Sequence, residues 1–397
     1  MNSSVKFLLI TQFATAFADR AIYFILFVAI GQLKGLPDWY LPILQAAFIL
    51  AYVLFAPWAG TFSDSRPKRN VLLIGNLIKI GGLGILFLYS VEAISEWVIL
   101  LGYFVIGFGA VLFSPAKYGL IPELVEEKKL VNINSWLEGA TIVAILSGQY
   151  IGASLGEFNV TYALIIAGII YIISSLLVFG VKLTPVRHKP RTVFFKDFIA
   201  DFKELLTHHV VRFALLGVSL FWSVAAVLQV LLLEWAEESV KLQDASDISI
   251  LGIFIGIGIV IGSVIVPKFI GLDNLRRTRF AAYAMGVLIL VLSQLTHLYI
   301  VYAVLILIGV TGGILVVPIN SALEEVGHET VGSGGAVAVQ RFSENLAMIT
   351  TLVIYTFILK SGVSPTTIML GMGIIILILT TLITLNLPNR DTGLLED

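Results

Sequence analysis

The 397-residue sequence contains no cysteine, which removes disulfide frameworks, iron–sulfur clusters, thiolate zinc sites and cysteine nucleophiles from consideration. Charge is almost as scarce: 13% of the residues are Asp, Glu, Lys or Arg, where a soluble domain has about 25%. The 25 basic and 26 acidic residues give a net charge of −1, without the basic excess of a nucleic-acid-binding chain. No G-x-x-x-x-G-K-[ST] loop occurs, so the chain carries no P-loop for ATP. What is abundant is apolar surface. Hydrophobic residues make up 58% of the chain and the mean hydropathy is +0.97, values that suit a lipid solvent.

A hydrocarbon core about 30 Å thick requires roughly 20 apolar residues per helix. Twelve such runs lie at about 7 to 31, 41 to 62, 71 to 91, 97 to 117, 133 to 155, 160 to 181, 211 to 233, 248 to 270, 279 to 296, 299 to 318, 332 to 359 and 366 to 387. The pattern predicts an all-α integral membrane protein with no appended soluble domain. The first run is too long for a cleaved signal sequence and lacks a small-residue cleavage site. Lys and Arg in short loops stay cytoplasmic, and placing both termini inside puts 17 of the 25 basic residues there, with only Lys34, Lys241 and Lys360 outside.

The longest hydrophilic stretch, 182–210, divides the chain into six-helix bundles at 1–181 and 211–397. Within it Phe194, Phe195, Phe198, Ile199, Phe202, Leu205 and Leu206 recur at helical spacing, with Lys196, Asp197, Asp201, Lys203 and Glu204 opposite. This predicts an amphipathic helix on the membrane interface, serving either as a plain linker or in regulation. The halves read as weak repeats. Span four ends in Phe113-Ser-Pro-Ala-Lys117 and is followed by Glu138; span ten ends in Val317-Pro-Ile-Asn320 and is followed by Glu344. A Pro-capped fourth helix and an acidic fifth helix in each half resemble the architecture of the major facilitator superfamily, which implies twelve transmembrane helices in two six-helix bundles. The loop after span two, Gly60-Thr-Phe-Ser-Asp64-Ser-Arg66-Pro-Lys68-Arg69, resembles that superfamily's G-x-x-x-D-x-x-G-[RK]-[RK] signature, with Pro67 in place of a glycine. The resemblance implies a conformational latch at Gly60, Asp64, Arg66, Lys68 and Arg69, the alternative being a plain positive-inside loop.

Matches that suggest enzymology fail on context. Gly152-Ala-Ser154-Leu-Gly156 fits a nucleophile elbow, but such an elbow needs a strand before it, and here an apolar helix precedes it. The five histidines show no metal-site spacing. Gly252, Gly256, Gly258 and Gly262 read as small residues for close helix packing. The chain is expected to be neither an enzyme nor a holder of metal or cofactor.

Charges inside the spans carry the functional information, since each costs about 2.5 to 3.5 kcal/mol at a helix centre and normally faces a cavity or a partner. They are Asp19, Arg20, Lys79, Lys117, Glu138, Arg341 and Glu344. Helical spacing groups Gln12, Thr15, Asp19 and Tyr23 on span one, and Gln340, Glu344, Thr351 and Tyr355 on span eleven. Candidate substrate residues are Asp19, Arg20, Tyr23, Lys117, Gln229, Gln340, Arg341, Glu344 and Asn345. Gln12, Lys79 and Glu138 are read as structural or undecided: Lys79 can snorkel or pair, and Glu138 can brace helices.

The blocks Phe17-Ala-Asp19-Arg20, Pro42-Ile-Leu-Gln45, Ala51-Tyr-Val-Leu-Phe-Ala-Pro57, Ser114-Pro-Ala-Lys-Tyr-Gly119, Leu137-Glu-Gly-Ala-Thr-Ile-Val-Ala-Ile145 and Ala338-Val-Gln-Arg-Phe-Ser-Glu-Asn345 resemble the lysophospholipid transporter family of Gram-negative inner membranes over essentially the whole chain. The resemblance implies a flippase that moves lysophosphatidylethanolamine and lysophosphatidylglycerol from the outer to the inner leaflet, where an acyltransferase restores the second chain. Relatives tend to read Phe-Gly-Asp-Asn in span one and to carry an Arg where Gln229 stands. Arg20 is therefore expected to replace the missing span-seven cation, pairing with Asp19 or phosphate. On this reading Lys117 or Arg20 binds phosphate, Asp19 and Glu344 take the ammonium or glycerol hydroxyls, and the tail stays in lipid or an apolar groove between rocking halves. The acids suit proton coupling, sodium coupling or neither. A drug exporter or a small-nutrient importer of the same architecture is the alternative.

Overall fold

The computed structural model describes residues 3–32, 36–37, 39–88, 96–125, 130–182, 194–266, 269–270, 272–330 and 333–385. These form thirteen α-helices: α1 (Ser3–Gln32), α2 (Tyr40–Asp64), α3 (Lys68–Leu88), α4 (Trp97–Leu124), α5 (Leu130–Phe158), α6 (Val160–Val178), α7 (Phe194–Leu205), α8 (His209–Trp235), α9 (Ala245–Ile265), α10 (Thr278–Leu292), α11 (Leu298–Thr330), α12 (Ser333–Lys360) and α13 (Pro365–Leu385). The short amphipathic α7 falls in the expected linker, and the other twelve helices correspond to the expected spans. Eleven are long and apolar enough to cross a membrane. The remaining one, α10, has 15 residues, about 22 Å of helix, and a 3₁₀ segment, Leu272–Arg277, runs directly into it.

Local chemistry sets several ends. Asn159, the residue between α5 and α6, accepts the Tyr162 backbone N–H at 3.0 Å through its side chain, an N-cap that allows a one-residue connection. Lys241 turns left-handed (φ 66°) after a five-residue π-helical stretch, Ala236–Val240, that prolongs α8.

The chain divides into two units, Met1–Phe195 and Lys196–Asp397, a boundary inside the 182–210 stretch that leaves α7 with the second unit. In the first, the main neighbours are α1 with α5 and α6, α4 with α2 and α3, and α3 with α6. In the second, α8 packs with α12 and α13, α11 with α9 and α10, and α10 with α13. These are the same five pairings displaced by six spans, the repeat that the Pro and acid pattern suggested.

Glycine lets the helices approach. A Cβ on Gly258 of α9 would lie 2.1 Å from the Ile306 carbonyl oxygen, and one on Gly309 of α11 would lie 2.1 Å from that of Ile255. Gly152 of α5, part of the nucleophile-elbow match, sits against Ala21 of α1, where a Cβ would come within 2.6 Å of backbone. Its role is packing.

Two expectations are corrected. Spans four and ten do not stop at their prolines: α4 continues past Pro115 to Leu124 and α11 continues past Pro318 to Thr330. In a bilayer, leaving the helix at proline would strand backbone groups without water, so the helix absorbs one missing N–H and goes on.

Candidate substrate site

In the first unit α1 acts as a polar strut, its Gln12–Thr15–Asp19–Tyr23 face bonding to four different helices. Gln12 Nε2 donates to Thr141 Oγ1 of α5 at 2.9 Å. Thr15 Oγ1 lies 3.1 Å from Asn76 Oδ1 of α3 and 2.6 Å from Ser174 Oγ of α6, and Asn76 Nδ2 donates to the same Ser174 at 2.9 Å. Tyr23, 1% exposed, donates to Gln45 Oε1 of α2 at 3.4 Å.

Asp19 is the centre of this face. Its Oδ2 is 2.6 Å from Lys79 Nζ of α3, and its Oδ1 accepts the Tyr171 hydroxyl of α6 at 2.6 Å. Lys79 is 1% exposed and lies 5.3 Å from the Phe113 ring centroid and 5.8 Å from that of Tyr171. A charge so placed persists only with a counter-charge and hydrogen bonds, and Asp19 supplies both.

Arg20, adjacent to Asp19, takes a different partner. Its NH2 donates to Gln149 Oε1 of α5 at 2.9 Å, and its guanidinium stands over the rings of Tyr23 and Phe24 at 5.5 and 5.1 Å. The cation on Asp19 is thus Lys79. Lys117 of α4, buried at 8% exposure, lies 4.6 Å from the Tyr118 ring centroid. The Glu138 side chain lies outside the described residues.

The second unit places its acid on α12. Glu344, 1% exposed, accepts from Gln340 Nε2 at 2.7 Å on Oε1 and from Arg341 NH1 at 3.0 Å on Oε2. Gln340 also donates to Asn320 Oδ1 of α11 at 3.0 Å, and Asn345 Nδ2 donates to the Arg341 carbonyl at 2.7 Å. Gln229 of α8 keeps a buried Nε2 with no hydrogen-bond partner among the described residues. The i, i+3 and i, i+4 spacing of Gln340, Arg341 and Glu344 closes this cluster within one helical turn.

The two acids share a chemistry. Each carboxylate oxygen has one described hydrogen bond, one of them from a cation, and an ionised carboxylate has about four acceptor positions. Both acids therefore carry an offset charge and keep capacity for another donor.

At the latch motif α2 ends at Asp64, whose side chain lies outside the described residues, and Gly60 faces open space within α2. Arg66 lies 4.0 Å over the Phe62 ring and Arg69 5.9 Å from that of Phe179. Lys68 opens α3 and bridges Glu123 near the end of α4 at 3.3 Å. Its stem occupies the space beside Gly119, where a Cβ would come within 2.3 Å of Cε.

Tyr171, Gln149, Asn76, Ser174 and Asn320 were not singled out from sequence. A lone neutral polar residue in an apolar run carries no signal that it caps a charge elsewhere. Glu234 escaped for another reason. Span seven was expected to end at 233, whereas α8 runs to Trp235 and brings Glu234 Oε2 to the Tyr355 hydroxyl of α12 at 3.1 Å.

Residues 8–339 match the family described as Major Facilitator Superfamily. Among curated relatives, the lysophospholipid transporter LplT of Photorhabdus laumondii is 35% identical over 388 residues, covering 96% of this chain and 95% of the relative. The LplT protein of Enterobacter sp. strain 638 is 36% identical over 369 residues, 91% of this chain and 90% of its own, and that of Escherichia coli O1:K1 is 35% identical over 381 residues, 94% and 93%. Among solved structures, the POT family transporter PepTSo superposes with a TM-score of 0.73 at 13% identity, covering 97% of this chain and 98% of its own. A bacterial homologue of the lysosomal transporter Spinster gives 0.72 at 13%, with 97% of each chain covered. At such identity these structures speak for the fold alone. The chain is a multi-pass membrane protein that belongs to the Major Facilitator Superfamily and, within it, to the family of the LplT lysophospholipid transporters.

Proposed function

We propose that the protein transports lysophospholipids, carrying the headgroups of lysophosphatidylethanolamine and lysophosphatidylglycerol from the outer to the inner leaflet of an inner membrane by alternating access, without covalent chemistry. Both termini are cytoplasmic on this reading, and an acyltransferase uses the delivered lipid. The observation that carries the proposal is the pair of acids within the helices, partly buried Asp19 and buried Glu344, each offset by a cation and each retaining acceptor capacity: Asp19 with Lys79, and Glu344 with Arg341. A phospholipid headgroup is zwitterionic or anionic, and crossing hydrocarbon unaided leaves its charges without partners. Arg20, Lys117 or Arg341 receives phosphate by charge-assisted hydrogen bonds, while Asp19 and Glu344 receive ammonium or glycerol hydroxyls. A primary ammonium donates three hydrogen bonds and a quaternary one none, which disfavours lysophosphatidylcholine.

The test is reconstitution of the full chain in liposomes, with inward movement of labelled lysophosphatidylethanolamine compared with lysophosphatidylcholine. Selective movement of the former, lost in Asp19→Ala and Glu344→Ala, is the expected result. Equal movement of both lipids, or undiminished movement in the variants, would remove the headgroup site from the proposal.

A further inference from the structure

The cations inside the spans differ in how their charge is answered. Lys79 has the Asp19 carboxylate at 2.6 Å and Arg341 has that of Glu344 at 3.0 Å. Lys117 stands 4.6 Å from the Tyr118 ring centroid and is engaged by a further partner. Arg20 has no ion pair among the described residues. Its NH2 donates to the neutral amide of Gln149 at 2.9 Å, and its Nε is buried without a partner. The rings of Tyr23 and Phe24, 5.5 and 5.1 Å away, attract a guanidinium through their negative faces but carry no net charge to cancel it. A full charge within a span is normally offset by a partner, and for Arg20 the protein supplies none.

This level of α1 is open to a ligand: Asp19 is 20% exposed and Arg20 keeps accessible surface of its own. Tyr103 of α4, 5% exposed, has its ring centroid 6.1 Å from that of Tyr23, and its phenol lies within electrostatic reach of the guanidinium. The Tyr103 hydroxyl makes no hydrogen bond among the described residues, whereas that of Tyr23 is given to Gln45. On the other side, Gly148 brings α5 close enough for Gln149 to hold Arg20. A Cβ on Gly148 would come within 3.3 Å of the Arg20 Cβ and 2.5 Å of the Phe17 carbonyl oxygen.

We propose that Arg20 is the phosphate anchor of the transport site and that Tyr103 and Gln149 complete it. The phosphodiester oxygens take charge-assisted hydrogen bonds from the guanidinium and one from the Tyr103 hydroxyl. Gln149 is a positioning residue, which fixes the guanidinium without touching the ligand. The proposal rests on the lysophospholipid-transport reading and narrows it, since that reading leaves the phosphate to any of three cations. What Arg20 recognises is the phosphate that lysophosphatidylethanolamine and lysophosphatidylglycerol share, not the group beyond it.

Binding of three single-chain lipids to the purified full chain in detergent tests this: the two lysophospholipids and monoacylglycerol, which lacks the phosphate. Arg20→Gln is expected to weaken both lysophospholipids at least tenfold and by the same factor, leaving monoacylglycerol within twofold, and Arg20→Lys should recover part of the loss. Tyr103→Phe should weaken both severalfold. Gln149→Leu should raise the KM for lysophosphatidylethanolamine uptake severalfold with kcat unchanged. Arg20→Met removes an unanswered charge, so without ligand it should melt no lower than wild type, and lysophosphatidylethanolamine should raise the melting temperature of the wild type alone. Wild-type affinity of Arg20→Gln for lysophosphatidylethanolamine would overturn the proposal and leave the transport reading standing. A loss that falls equally on monoacylglycerol would do the same, making Arg20 a structural residue. A wild type that binds neither lysophospholipid would overturn the transport reading and the proposal with it.

Discussion

Replacing Asp19 by Asn leaves the Lys79 ammonium, 1% exposed, facing a neutral amide where its counter-charge stood 2.6 Å away. Removing one partner of a buried ion pair costs about 3–5 kcal/mol. Asp19 itself is 20% exposed, so water reaches one side of the pair and the lower part of the range applies, about 3–4 kcal/mol. Lys79→Met is milder, because the orphaned carboxylate is the more exposed partner and keeps the Tyr171 hydroxyl. The unit that holds the pair spans Met1–Phe195, a size at which each kcal/mol shifts the melting temperature by about 2–4 °C. Asp19→Asn should therefore melt roughly 6–16 °C lower. The double variant Asp19→Asn with Lys79→Met removes both charges together and should melt above the Asp19→Asn single, with a coupling energy of at least about 2 kcal/mol. The assay is thermal unfolding in detergent followed by intrinsic fluorescence of the six tryptophans; with no cysteine in the chain, thiol-reactive dyes report nothing. A loss below about 2 °C for Asp19→Asn, or a double variant equal to the sum of the singles, would refute the pairing as the source of stability.

Gly258→Ala should destabilise the second unit by about 1–3 kcal/mol, because the added Cβ meets the Ile306 carbonyl oxygen at 2.1 Å and backbone cannot step aside. Gly371→Ala, with nothing within 4 Å of the new atom, should be neutral or slightly stabilising, and melting curves of the two distinguish close packing from a general intolerance of alanine. Phe198 and Phe202 of α7 meet the Phe342 ring edge-on, with centroids 5.3 and 6.4 Å away, pairs worth about 0.5–1.5 kcal/mol each. Changing both to Ala should raise hydrogen exchange across 196–205 without altering that of α13; unchanged exchange would show that the rings do not hold α7 to α12.

Fold and site differ in how far each was legible beforehand. Apolar runs of about 20 residues are a one-dimensional signal, and twelve of the thirteen helices follow from them. Their ends do not, since proline ends helices in water yet is carried through in lipid, as at Pro115 and Pro318. The Glu344 cluster could be read because its members share a helical turn: Gln340, Arg341 and Glu344 are neighbours in the chain. The Asp19 cluster could not, because it joins positions 19, 79 and 171 on three helices. Arg20 beside Asp19 looked the natural partner, but consecutive residues on a helix diverge by about 100° and do not face each other. The cation that meets Asp19 comes from another helix.

That contrast separates the two acids in function. Asp19 is bonded to α3 and α6, so its charge contributes to holding three helices together. Glu344 takes its bonds from Gln340 and Arg341 within its own helix, the Arg341 side chain that bridges it is 40% exposed, and the Trp222 indole of α8 also acts on the carboxylate. Arg341 and Gln340 move with the acid on α12, so the Glu344–Arg341 pair survives a movement of α12, and the bond from Gln340 to Asn320 of α11 is the one such a movement would break. Glu344→Gln leaves only the partly exposed Arg341 without its counter-charge, no buried charge is unmatched, and a hydrogen bond weakened at the buried position costs about 0.5–1.5 kcal/mol. Its melting temperature should stay within about 4 °C of wild type, while lysophosphatidylethanolamine uptake in liposomes falls at least tenfold. Asp19→Asn should lose both. Measured on the same preparations, a Glu344→Gln protein that melts as low as Asp19→Asn, or that transports normally, would show that the local pairing on α12 is a structural brace.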